Sequence, residues 1–69
     1  DTQKKRELLE RALAIKERHY GSDHPEVATT LAILGSAYGK LGDTQKKREL
    51  LERALAIKER HNGPDHPKV

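Results

Sequence analysis

Residues 1–19, DTQKKRELLERALAIKERH, recur without change at residues 43–61. The offset is 42 residues, and extending the alignment to Val27 and Val69 gives 27 paired positions. Only three pairs differ, Tyr20/Asn62, Ser22/Pro64 and Glu26/Lys68, so 24 of 27 are identical. Chance does not produce this. A recent duplication or a consensus-like design does, and either defines a repeat architecture. The phase of the repeat divides the chain into residues 1–24, the second helix and loop of one unit, residues 25–66, one complete unit, and residues 67–69, the start of the next. A portion of a longer array is the expected context.

The repeated stretch is helical by composition and by period. Ala, Leu, Glu, Lys and Arg dominate it, and all favour helix. On a helical wheel Leu8, Leu9, Ala12, Leu13, Ile15 and His19 share one arc, while Glu7, Glu10, Glu17 and three arginines take the opposite one. Lys5 and Lys16 intrude on the apolar arc, where their methylene stems can lie flat with the ammonium in water. A glycine follows each copy, Gly21 after Tyr20 and Gly63 after Asn62, as the left-handed residue past a helix end. Between the copies lies a third amphipathic stretch. Asp23-His24-Pro25-Glu26 is a start signal. Pro25 suits the first turn, and either Asp23 with Glu26 forms a capping box or His24 is the cap. Val27, Thr30, Leu31, Leu34, Ala37, Tyr38 and Leu41 then form a stripe. Gly35 beside it costs roughly 1 kcal/mol of helix propensity and points to a close neighbouring backbone. Asp43 is placed to cap the last helix. The expected fold is all-α, with antiparallel helices at about 2–19, 25–41 and 44–61 joined by short loops.

These residues resemble the tetratricopeptide repeat. Leu31, Leu34-Gly35 and Tyr38 match the first helix of that family, and Leu51, Ala54 and Leu55 match the second; together they form the expected packing motif. The 42-residue length, the loop Gly63-Pro64-Asp65-His66-Pro67 and the run HPEVATTL from His24 to Leu31 are similar to the longer subclass found in kinesin light chains and bacterial repeat arrays. The resemblance implies a right-handed αα-solenoid with first helices on its concave face. The concave positions would be Thr29, Ala32, Ile33, Ser36, Gly39 and Lys40, a smooth groove with one lysine per unit. The family's early small alanine would fall at Lys5 and Lys47. The asparagines with which light-chain grooves hold a cargo backbone would fall at Ala32 and Ile33, so binding of that kind is not expected. The implied role is a protein-interaction scaffold with a protein or peptide partner. The other reading is a structural or engineered repeat whose activity is stacking on itself, head to tail, because each end of the stack lacks a neighbouring helix.

Other functions find less support. Charged residues make up 36% of the chain and aromatics 3%, with a net charge of +3 and both signs interleaved, the pattern of solvated helix faces. The basic triplets Lys4-Lys5-Arg6 and Lys46-Lys47-Arg48 are followed at once by Glu7 and Glu49, and stacking aromatics are scarce, so no nucleic-acid partner is expected. The four histidines form matched pairs, His19/His24 and His61/His66, each near an aspartate. Their spacing crosses a helix end and a turn, and packing or capping explains them better than a metal does. No glycine-rich phosphate loop, nucleophile elbow or metalloprotease helix is present. The chain is read as no enzyme, with no cofactor. There is no cysteine, no apolar run near the ~20 residues of a membrane span and no secretory pattern, so no membrane partner is expected and the cytoplasm is the default location.

Overall fold

The computed structural model describes residues 1–62. Three helices follow one another, α1 (Thr2–Tyr20), α2 (Pro25–Lys40) and α3 (Thr44–Asn62), with no strand among the described residues. The loop expected at Gly63–His66 and the next unit's start at residues 67–69 lie outside them.

Local chemistry sets each boundary. The Asp1 carboxylate accepts from Gln3 N at 3.1 Å to open α1, and Asp43 does the same for α3 with Lys46 N at 3.1 Å. At the start of α2 the cap is His24, whose Nδ1 accepts from Glu26 N at 3.0 Å, and Pro25 is the first helical residue. Asp23, the other possible cap, is engaged elsewhere. α1 ends where Gly21 N donates to Glu17 O at 2.9 Å. The φ of Gly21 is 88°, positive as expected, but its ψ of 159° is extended rather than left-handed helical. α2 stops at Lys40, one residue early, because Gly42 (φ 91°) turns the chain and Asp43 N returns to Tyr38 O at 2.9 Å, covering a carbonyl the helix leaves free.

α2 lies between the other two helices, which touch each other through side chains only. Pairs at opposite ends fix antiparallel packing: Lys16 with Glu26 at 3.4 Å, and Glu10 with Tyr38. No charged residue occurs between Glu26 and Lys40. That uncharged length of α2 supplies most of the core: Val27, Ala28, Thr30, Leu31, Leu34, Gly35 and Ala37 are buried. α3 contributes Leu50, Ala54 and Ile57, whereas α1 contributes no fully buried residue and packs through half-buried Leu9 and Leu13. The buried Thr30 hydroxyl donates to Glu26 O at 3.2 Å, so α2 buries it without an unmet hydrogen bond.

Gly35 marks the closest approach. A β-carbon there would sit 3.4 Å from the Lys47 carbonyl oxygen and 3.4 Å from Leu51 Cγ. One methyl fits at ordinary contact distance and a longer side chain does not. Gly35→Ala is expected to change stability by less than about 1 kcal/mol, its helix propensity offsetting the tight contact. Gly35→Leu is expected to cost about 1–3 kcal/mol by overpacking. Urea denaturation followed by circular dichroism measures both. A neutral leucine variant would place Gly35 on an open face.

Candidate functional site

Leu31, Leu34, Gly35 and Ala54 of the expected packing motif are buried, and Tyr38 is half-buried. Leu51 and Leu55 are exposed at 38% and 56%. Leu51 still lies against Gly35, but the main α3 contact on α2 is made by Leu50, Ala54 and Ile57. The reason is positional. Leu51 and Leu55 lie beside that contact, where they line an open groove of about 360 Å³ with Thr44, Lys47, Arg48 and Glu52.

The six groove positions expected on α2 divide. Ile33, Ser36 and Lys40 come together with Thr2, Lys5 and Ala37 in a cleft of about 130 Å³ between α2 and the start of α1. Ile33 and Ala37 are the apolar residues of its lining, and Lys5 and Lys40 the charged ones. Thr29 is exposed outside this cleft, its hydroxyl donating to Pro25 O at 3.2 Å. Ala32 packs against the core. Gly39 lies under the Lys47 side chain: a β-carbon would come within 2.8 Å of Lys47 Cδ. Glycine at this position makes room for a lysine where the family resemblance calls for a small residue.

One cluster escaped the sequence reading. Arg6, read there as part of a basic triplet, is half-buried. Its Nη1 donates to Glu10 Oε1 at 3.1 Å, and its guanidinium stands 5.6 Å from the centre of the Tyr38 ring. The Tyr38 hydroxyl donates to the other oxygen of Glu10. This latch joins the start of α1 to the end of α2. Only the i, i+4 spacing of Arg6 and Glu10 was visible in the sequence, and nothing there pointed to Tyr38.

Two of the histidines, His24 and His61, have partners within the fold. His24 caps α2 and stacks on Tyr20, ring centres 4.3 Å apart. His61 Nε2 lies 2.6 Å from Asp23 O, and Arg60 donates to the Asp23 carboxylate at 2.7 and 2.9 Å. Arg53 pairs with Glu17 at 3.0 Å. These exposed pairs bridge α3 to α1 and its following loop, and each contributes about 0–1 kcal/mol. Among the described residues no group of three or more His, Asp or Glu is gathered as a metal would require, and no helix is long and apolar enough to cross a membrane.

A stack of antiparallel helices with a cleft between α1 and α2 defines the class: a helical-repeat module. The family model described as Tetratricopeptide repeat matches residues 3–60, and the chain belongs to that family. Searches of curated proteins and of solved structures found no match.

The latch has a measurable signature. Its hydrogen bond to Glu10 holds the Tyr38 phenol above the ordinary tyrosine value, with burial adding to the effect and Arg6 opposing it. The folded pKa is raised, so this contribution to stability is present below the unfolded tyrosine value of about 10 and is lost as pH rises through the folded value. Ultraviolet titration of a Tyr20→Phe background, where Tyr38 is the sole tyrosine, is expected to show the elevated ionisation. Tyr38→Phe is expected to cost about 1 kcal/mol. Titration at or below the free-tyrosine value would mean that the latch does not form.

Proposed function

We propose that this chain is a protein-interaction repeat of the 42-residue tetratricopeptide subclass, and that its ligand cleft is the one between α1 and α2. The observation that carries this is the meeting of Ile33, Ser36 and Lys40 with Lys5 from the neighbouring unit. An apolar lining that includes two lysines suits a peptide segment with an apolar side chain next to a carboxylate. Ala32 and Ile33 offer no side-chain hydrogen bonds to a peptide backbone, so selection rests on charge and one apolar contact, and the expected affinity is modest.

A second reading, a structural repeat that stacks on its own kind, is favoured by the large apolar residues exposed on α1 and α3. The two readings use different surfaces and can both hold.

The cleft is tested by fluorescence anisotropy with labelled peptides matched in length and apolar content. An acidic peptide is expected to bind more tightly than its basic counterpart. Lys40→Glu is expected to weaken the acidic peptide about tenfold, the effect shrinking as salt is raised. Equal binding of both peptides, or no effect of Lys40→Glu, would remove the cleft from consideration.

A further inference from the structure

A lysine from the start of each repeated helix meets the last turns of α2, one on either side. On the α1 side Lys5 lines the cleft with Lys40. On the α3 side its counterpart, Lys47, lies on α2 itself. The Lys47 carbonyl oxygen stands 3.4 Å from where a β-carbon on Gly35 would be. The side chain runs from there toward the end of α2. At Gly39, one turn further on and on the same face of the helix, a β-carbon would come 2.8 Å from Lys47 Cδ and 3.4 Å from Cε and Nζ. The Lys47 ammonium is therefore held against the residue next to Lys40. Around the α2 axis exposed Ser36 falls between Gly39 and Lys40, so a small side chain separates the two charges.

No contact within the fold accounts for this charge. Among the described residues Lys5, Lys40 and Lys47 take part in no ion pair. Lys16, Arg53 and Arg60, by contrast, meet Glu26, Glu17 and Asp23. Nor is Lys47 needed as a cap for α2. The carbonyls of Ala37, Tyr38 and Gly39 already accept from the backbone N–H groups of Leu41, Asp43 and Gly42. The helix that carries it does not favour it either. The first turn of α3 holds no acidic residue, and a lysine near a helix start opposes the macrodipole. Gly39 lowers the helix propensity of α2, and alanine there would displace the lysine stem. Both residues work against local stability, and together they fix an unpaired ammonium beside Lys40.

We propose that Lys47, positioned by Gly39, is a second acid-binding point beside the cleft, and that this face takes a peptide segment with two acidic side chains at alternate positions. One carboxylate meets Lys5 and Lys40. The other, on the same side of an extended chain and about 7 Å further along, meets Lys47. This rests on the cleft reading and adds a requirement that the cleft alone does not have. Lys47 touches the ligand, whereas Gly39 acts through Lys47 and is a positioning residue.

The test compares two labelled peptides by fluorescence anisotropy, matched in length and apolar content. One has a single acidic residue and the other has a second acidic residue two positions further on. The two-acid peptide is expected to bind the whole chain about fivefold more tightly, a gain that shrinks as salt is raised. In Lys47→Gln the gain is expected to disappear. Gly39→Ala keeps every charge and favours helix, and there the gain is expected to fall to about twofold or less. Lys46→Gln, the same loss of charge one residue away, is expected to keep it. Circular dichroism is expected to show the same helix content in all three variants. Retention of the gain in either Lys47→Gln or Gly39→Ala overturns the proposal. So does its loss in Lys46→Gln, since general charge and not a placed ammonium would then be responsible. Equal binding of the two peptides overturns the proposal and leaves the cleft reading standing, provided the single-acid peptide still responds to Lys40→Glu. Binding of neither peptide removes both readings.

Discussion

Everything in this molecule depends on α2 being apolar on two sides at once. A helix with no charge from Val27 to Gly39 does not stand alone in water, and one flanking helix leaves much of it exposed. Two flanking helices solve the problem, and the chain supplies them as two copies of one sequence. α3 is the more intimate partner, because Gly35 and Gly39 let its backbone and the Lys47 stem come close. α1 is held by half-buried leucines, the Arg6–Glu10–Tyr38 latch and the Lys16–Glu26 pair. The core is consequently lopsided: its fully buried side chains are concentrated in α2 and α3.

That arrangement also produces the surface. The cleft exists because Lys5 of α1 lies beside Lys40 of α2. It is thus a property of two adjacent units. In an array of such units the lysine pair would recur at each junction, so the proposed ligand, if extended, would meet one such pair per junction.

The helices and their caps were legible in the sequence because they depend on local chemistry. Asp43 caps as expected, Pro25 stands in the first turn, and Gly21 follows the end of α1 with a positive φ. The environment of the second-helix leucines was not legible, and the reason is physical. Leu9 and Leu51 occupy identical sequence surroundings, and so do Leu8 and Leu50, yet one of each pair is more deeply buried than the other. Which one depends on the neighbours present, and a sequence that repeats itself carries no local mark of them. The latch was hidden for a related reason. Arg6 lay within a run of basic residues, where a solvated face is the ordinary expectation, and the contact that buries it comes from a tyrosine 32 residues away. The cleft was half legible: the family resemblance implied one side of α2 for Ile33, Ser36 and Lys40, but Lys5 enters only through tertiary packing.

The two-sided use of one sequence also constrains how such a chain can vary by descent. A change in the repeated helix that is copied by duplication must suit two surroundings, since the residue that faces α2 in one copy faces outward in the other. Drift is therefore freest where no packing face is involved. The three differences between the copies follow this pattern. Tyr20/Asn62 lies at a helix end, Ser22/Pro64 in the connecting stretch, and Glu26/Lys68 at the opening of the unit, where Glu26 is exposed in the first copy. All three differences fall outside residues 1–19 and 43–61, the stretch that carries the packing faces, so in an array that arose by duplication the order of descent would be read from the residues between those stretches.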